Sequence, residues 1–318
     1  MEKRKLGRSE LEVSPVCFGG NVFGWTIDEA TSFEILDAFV AAGGNFIDTA
    51  DVYYRWVEGN EGGESETILG KWMKQRRNRD KVIIATKVGN DMGPGGKGLS
   101  RKHIQQAVED SLQRLQTDYI DLYQSHIDDE STSLEETLET YAELLRQGKV
   151  RAIGASNYSA DRLVRALQIS EQHGYPRYES LQPLYNLYDR ADYEQDLEPL
   201  CIEQEIGVIS YFSLASGFLS GKYREEKDLS NSSRAGYVKK YLNARGTRIL
   251  EAIDEVAKTY NTTPTQISLS WLIQRPSITA PIVSATKLEQ LNDIISSVNI
   301  KLDQDAISLL NLASSSNT

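Results

Sequence analysis

With 318 residues, 40% of them hydrophobic, the chain is long enough to bury a large core as one big α/β domain or two ordinary ones. A net charge of −11 and a pI near 5.0 exclude functions that depend on holding polyanions, so neither nucleic acid nor an anionic membrane is expected as a partner. The only cysteines, Cys17 and Cys201, show no CxxC or Cys/His spacing, which predicts no disulfide framework, no metal site and a reducing, cytoplasmic setting.

The opening MEKRKLGRSE is polar with no apolar stretch, and no run approaches the roughly 18 apolar residues that a membrane span requires. Residues 3–13 place two short extended segments around Gly7-Arg8-Ser9, a hairpin signal that reads as a plug ahead of the main fold. After the apolar run Val16 to Gly19, Thr26 with Glu29 predicts a capping box opening a helix with the stripe Phe33, Leu36 and Val40, closed by Gly43-Gly44. From there a short apolar run, a loop and an amphipathic stripe alternate. Phe46 to Asp48 precedes Ile68, Leu69, Trp72 and Met73, and Val82 to Ala85 precedes Ile104, Val108, Leu112 and Leu115. Tyr119 to Tyr123 precedes Leu134, Leu138, Tyr141 and Leu145, opened by Ser133 with Glu136. Val150 to Ile153 precedes Leu163 and Leu167, Glu179 to Gln182 a helix near 192–205, and Val208 to Tyr211 and Ala280 to Val283 complete eight runs. Strands alternating with helices predict a parallel sheet, and this count at this length fits a closed (β/α)8 TIM barrel. Residues 212–246, with Gly217, Gly221, Gly236 and Gly246, exceed an ordinary connection and read as a functional loop. Asp303 predicts the N-cap of a short C-terminal helix, and with no clear linker the chain 1–318 reads as a single barrel domain.

Barrel enzymes draw their sites from the carboxyl ends of strands. The residues directly after the eight runs are Gly19-Gly20-Asn21, Asp48, Lys87, His126, Ser156-Asn157, Gln182, Tyr211 and Ser284, with Tyr53 in the loop after Asp48. Singly each has an ordinary explanation. Lysines are mostly solvated, a lone histidine is often a hydrogen-bonded core residue, aspartates cap turns, and the chain has 16 tyrosines. Together they form a chemistry. A phenol is a poor acid until a neighbouring cation stabilises the phenolate, Lys87 supplies that cation, Asp48 keeps the lysine charged, and His126 can orient a carbonyl oxygen. A general acid beside an oxyanion site suits addition of hydride to a carbonyl. Ser156, Asn157 and Gln182 could grip a carboxamide and Tyr211 could stack on a flat ring, as a nicotinamide would require. In SATKLE, Thr286 with Glu289 predicts a second capping box with Lys287 at the first helical position, an anion site where barrels commonly bind phosphate.

At this point the chain resembles the aldo-keto reductase superfamily over essentially its whole length. NFIDTADVYY followed by GGESE is similar to that family's DTAxxYG...SE signature, and LQTDYIDLYQSH, ATK, GASNY and ISYFSL fall in the expected order. The resemblance implies a catalytic tetrad of Asp48, Tyr53, Lys87 and His126. It implies cofactor contacts from Gly20, Asn21, Asp48, Ser156, Asn157, Gln182 and Tyr211; from Ser213, Leu214, Gly217, Leu219 and Gly221 in the long loop; and from Ser284, Thr286, Lys287, Gln290 and Asp293 after the eighth run. The implied activity is NADPH-dependent reduction of an aldehyde or ketone. Many relatives carry arginine where Thr286 stands and asparagine where Ile294 stands, so NADPH is expected with NADH as the alternative, because Lys287 meets a phosphate without arginine's planar fork. Tyr54 replaces the usual glycine after the proposed acid and, with Trp25 and Trp56, would give the substrate pocket an aromatic wall. Two other readings use the same residues: an NADP(H)-binding redox sensor or regulatory subunit, and a barrel lyase in which Lys87 forms a Schiff base.

Overall fold

A computed structural model describes residues 1–55, 57–230 and 234–315. Eight parallel strands form its centre: β3 (Cys17–Gly19), β4 (Phe46–Asp48), β5 (Ile83–Val88), β6 (Ile120–Ser125), β7 (Val150–Ser156), β8 (Tyr178–Gln182), β9 (Gly207–Val208) and β10 (Ile282–Val283), preceded by the antiparallel hairpin β1 (Arg4–Lys5) and β2 (Glu12–Val13). Strand order follows the chain, with β10 beside β3. The sheet closes on itself where Thr279 N–H donates to the Val208 carbonyl at 2.9 Å and Ile282 N–H to Ser210 at 2.8 Å. This is the expected (β/α)8 barrel.

Side chains alternate between the two faces of a strand, and in a barrel one face is the interior. Cys17, Phe46, Ala85, Leu122, Ala152, Ile209 and Ala280 pack together inside it, joined by Leu6, Leu11 and Val13 of the hairpin, so the hairpin does plug one end. Gly207 is required there: a Cβ on it would fall 2.6 Å from Leu6 Cδ1 and 2.8 Å from the Gly7 nitrogen. The outward set, Ile47, Ile84, Tyr123, Ile153, Leu181 and Val208, meets the helices.

Those helices are α1 (Glu29–Ala41), α2 (Glu64–Arg76), α3 (Arg101–Leu115), α4 (Leu134–Arg146), α5 (Ala160–His173), α6 (Glu198–Glu203), the short α7 (Ala235–Val238), α8 (Ala244–Thr259), α9 (Pro264–Ile273), α10 (Leu288–Ser297) and α11 (Gln304–Ser314). Ser133 and Asp303 cap α4 and α11 as expected, accepting from Glu136 N–H and Ala306 N–H. Two caps differ from expectation. Asp28, not Thr26, caps α1 by accepting from Thr31 N–H at 2.8 Å, because it lies nearer the first turn and carries a charge that suits the helix dipole. No Thr286–Glu289 box forms either: Lys287 is the N-cap of α10, and the Gln290 side chain reaches back to accept from Thr286 N–H at 2.8 Å. Helix α9 had no distinct signal, since it is buried nearly all round and carries no amphipathic stripe. Within 212–246 the described residues include the short turns Ala215–Ser220 and Glu226–Leu229 and then α7, and Arg224 is tied to Asp254 of α8.

Gly70 lies on the face of α2 that packs on α3, where an added Cβ would sit 2.2 Å from the Arg114 carbonyl oxygen. Gly→Ala inside a helix ordinarily gains about 1 kcal/mol. Here the clash reverses the sign, and Gly70→Ala is expected to destabilise by about 1–3 kcal/mol, read as a lower urea midpoint.

Candidate active site

The period-two alternation that fills the barrel interior also builds its mouth. Asp48 lies two residues beyond Phe46, Lys87 two beyond Ala85, Gln124 two beyond Leu122, and Ser156 and Gln182 end β7 and β8. These side chains therefore form the next inward layer above the apolar one, and they are wired together. Lys87 Nζ donates to Asp48 Oδ2 at 2.5 Å, to the Thr49 carbonyl at 2.7 Å and to the Tyr53 hydroxyl oxygen at 3.0 Å. The Tyr53 hydroxyl also points at Asp48 Oδ2, at 3.4 Å. The remaining carboxylate oxygen of Asp48 accepts from Gln124 Nε2 at 3.1 Å and Gln182 Nε2 at 2.9 Å. The Lys87 and Asp48 side chains are 0% and 1% exposed, so every polar atom of the pair must find its partner within the protein.

His126 follows β6, held by its backbone N–H donating to Val88 at 2.8 Å, with its ring edge-on to Tyr53 at 6.1 Å between centroids. Burial, and then the Lys87 charge, push its pKa well below the ordinary imidazole value, so it stands as a neutral ring. Its Nδ1 is buried without a hydrogen-bond partner among the described residues. The expectation that Lys87 would lower the Tyr53 pKa is not met. Burial dominates, followed by the Asp48 charge, and together they hold the phenol well above its ordinary value. Tyr53 is consequently a protonated phenol throughout the neutral range. Lys87, gripped by a carboxylate, a carbonyl and a phenol, is badly placed to serve as the neutral amine of a Schiff base.

A second hydrogen-bonded path leaves the pair through Gln182. Ser156 Oγ donates to the Gln182 carbonyl at 2.9 Å, Asn157 Nδ2 to Ser156 Oγ at 3.1 Å and to the His126 carbonyl at 3.0 Å, and the Tyr211 hydroxyl to Asn157 Oδ1 at 2.9 Å. Asn157, at φ 57°, is exposed and Tyr211 half-buried, so an amide and an aromatic face are presented together. The structure groups Gly20, Asn21 and Ser284 nearby: Ser284 Oγ donates to the Gly19 carbonyl at 2.8 Å and contacts Asn21 Oδ1, while Gly20 N–H donates to the Asp48 carbonyl at 2.7 Å. Ser213 Oγ donates to the Ile282 carbonyl at 2.7 Å, which brings the start of the long loop to the same end of β10. Leu214 is half-buried, Gly217 and Gly221 adopt φ of 94° and 77°, and the Leu219 side chain is in the core. Thr286, exposed Lys287 and Gln290 surround the start of α10, whereas Asp293 is engaged one turn on by Gln266 Nε2 at 2.7 Å.

Of the three residues expected as an aromatic wall, Trp25 is half-buried at 5.2 Å between ring centroids from Tyr54. Tyr54 is itself only 1% exposed and sits beneath Trp25 and Tyr53, so it backs the wall instead of facing the mouth. Trp56 lies outside the described residues. Gln124 was not singled out from the sequence, although a glutamine two residues past an inward leucine in a buried strand is the available signal. Glu66 was missed too: fully buried, it accepts from Thr86 Oγ1 at 2.5 Å and Arg114 Nε at 2.6 Å behind the site. No group of three or more His, Cys, Asp or Glu that could hold a metal occurs among the described residues. A surface hollow of about 650 Å³ lined by Gly95, His103 and Lys149 shares no residue with this cluster, whereas a second of about 440 Å³ is lined in part by Asn157 and Tyr211.

Fold and mouth together describe a (β/α)8 barrel with a buried polar cluster at the carboxyl ends of its strands. Residues 15–314 match the aldo/keto reductase family, and the chain belongs to it. It is 35% identical to the Bacillus subtilis (strain 168) protein named Uncharacterized oxidoreductase YrpG, over 98% of this chain and 95% of that one. It is 34% identical to Aldo-keto reductase YhdN of the same organism, over 92% and 88% of the two chains. It is 32% identical to Norsolorinic acid reductase of Aspergillus flavus, over 93% and 76%.

Removing Lys87 would leave Asp48 buried with an unmatched charge. Lys87→Met is therefore expected to lose about 3–5 kcal/mol of stability in urea unfolding, and adding Asp48→Asn should restore much of it.

Proposed function

We propose that this oxidoreductase reduces an aldehyde or ketone to an alcohol with hydride from NADPH, Tyr53 supplying the proton. The observation that carries the reading is the Tyr53 hydroxyl oxygen 3.0 Å from Lys87 Nζ within the buried Lys87–Asp48 pair, beside a neutral His126. The cofactor supplies, when bound, a hydride to the carbonyl carbon. The protein's part is to hold the substrate oxygen toward Tyr53 and His126, to donate the Tyr53 proton to that oxygen as charge develops, and to steady the resulting phenolate with the Lys87 ammonium. Reduction thus consumes one hydride and one proton and yields an alcohol.

The donor set at the mouth suits a nicotinamide: the Asn157 amide and Ser156 hydroxyl match a carboxamide, and the half-buried Tyr211 ring matches a planar face. Gly20 is required by packing beneath the mouth, since a Cβ there would meet Ser65 Oγ at 2.7 Å. Ser213, Leu214, Gly217, Leu219 and Gly221 would follow the pyrophosphate, partly through their backbone. Ser284, Thr286, Lys287, Gln290 and Asp293 would face the adenosine side, where exposed Lys287 at the start of α10 favours the phosphorylated cofactor. The whole chain is read as one barrel domain, and a cytoplasmic setting goes with its two buried free cysteines. No helix among the described residues is long and apolar enough to cross a membrane.

Tyr53→Phe is expected to retain NADPH binding, seen as quenched tryptophan fluorescence, while losing about 10²- to 10⁴-fold in carbonyl reduction. Unchanged turnover would remove Tyr53 from the proposed role. Lys287→Ala is expected to weaken NADPH binding about tenfold with little effect on NADH, measured by the same quenching titration.

A further inference from the structure

Between Asp48 and the proposed proton donor Tyr53 the sequence holds a residue that the chemistry above does not use. Asp51 lies three positions after Asp48 and two before Tyr53, is 2% exposed, and is fastened by its backbone N–H donating to the Lys87 carbonyl at 3.3 Å. Both its carboxyl oxygens are buried with no hydrogen-bond partner among the described residues, and so is the hydroxyl of Tyr123 on β6. The charged and titratable groups acting on Asp51 or feeling its charge come from every side: Glu66 of α2, Lys87 of β5, Arg114 of α3, Tyr123 of β6, Tyr141 of α4 and Tyr53 of its own loop. Neither cation is free to serve it. Arg114 is bound to Glu66 at 2.6 Å, and Lys87 to Asp48 at 2.5 Å. A carboxylate here would be a third buried anion with no side-chain donor of its own, helped only by the adjoining Val52 backbone N–H, whereas a carboxylic acid buries no net charge.

We propose that Asp51 is a positioning residue for proton donation by Tyr53, working as a neutral carboxylic acid whose ionisation turns the reduction down at alkaline pH. The proposal rests on the reductase reading above. Burial, reinforced by the Glu66 charge, pushes the Asp51 pKa up to about 8. A negative Asp51 is also one of the charges that hold the proton on Tyr53 more tightly. Ionising it therefore places a second anion near a phenol that must approach phenolate as the alcohol forms, and donation becomes harder. Because the folded value lies above that of an unfolded aspartate, the neutral acid's contribution to stability is fully present below about pH 4 and is lost as the pH rises to about 8.

The test compares the full-length protein with Asp51→Asn, which keeps the shape of the neutral acid, and with Asp51→Ala as a second chain that cannot ionise. Urea-unfolding free energy is measured against pH, together with single-turnover reduction of benzaldehyde by bound NADPH. Stability should fall between about pH 4 and about pH 8 more steeply in the unmodified protein than in either variant. Its reduction rate should drop about tenfold between about pH 7 and about pH 9, while Asp51→Asn holds within about twofold. Equal stability slopes would overturn the neutral acid, and an unchanged alkaline fall in Asp51→Asn would overturn its link to Tyr53. If neither protein reduced any carbonyl, the reductase reading would fail on its own. The ultraviolet phenolate titration of Tyr53, assigned with Tyr53→Phe, would then decide: a lower midpoint in Asp51→Asn supports the coupling, and equal midpoints overturn it.

Discussion

The mouth of this barrel depends on one buried ion pair. Taking an ammonium and a carboxylate out of water costs several kcal/mol per ion, and their attraction repays it only when the remaining hydrogen-bonding capacity is also met. Lys87 and Asp48 meet that condition through four neighbours: the Thr49 carbonyl, the Tyr53 hydroxyl, Gln124 and Gln182. Those neighbours come from β6, β8 and the loop after β4. A register slip of one residue in any of these strands would turn its polar side chain outward and leave the pair short of a donor or acceptor. The pair thus specifies strand alignment as well as holding the site, and the same geometry brings a phenol to 3.0 Å from a cation.

Apolar packing supplies what the polar layer cannot. The interior layer just below the pair, from Cys17 round to Ala280, is small enough at Ala85, Ala152 and Ala280 for the strands to close, and the hairpin residues Leu6, Leu11 and Val13 fill the far end. Water is kept from the underside of Lys87 and Asp48 by that plug. Low dielectric strengthens the ion pair's attraction, and the same burial raises Tyr53 and neutralises His126, so one packing arrangement sets both protonation states.

The barrel and much of its mouth were legible because both arise from short-range rules. Runs of alternating strand and helix reveal the architecture, and a residue at the end of an apolar run must emerge at the mouth, which is how Asp48, Lys87 and Gln182 announce themselves. Failures came where two local rules compete or where partners are distant. Thr26 and Asp28 are both good caps, and only the structure shows that Asp28 takes the Thr31 N–H. Thr286 has an acid three residues on, but Gln290 reaches it first. The bond between Glu66 and Arg114 spans 48 positions and leaves no periodic trace. The upward Tyr53 shift has a related reason: a nearby cation is visible in the sequence as a motif, whereas the extent of burial, which dominates, is a property of the whole fold.

Tyr54 shows how a departure from a pattern acquires meaning only in three dimensions. Its backbone sits at φ 70°, a left-handed conformation that costs a non-glycine residue about 1–2 kcal/mol. Glycine would avoid that strain but would leave the space beneath Trp25 empty, since the tyrosine ring lies 5.2 Å from Trp25 and 6.1 Å from Tyr53. With the ring in place, Trp25 and Tyr53 cannot relax inward, and core packing makes such a constraint stiff. The strain is thus exchanged for a fixed separation between the Trp25 ring and Tyr53, the proposed proton donor. Because Tyr54 is covered, its influence on which carbonyl compounds fit would pass through the placement of Trp25 and not through contact of its own.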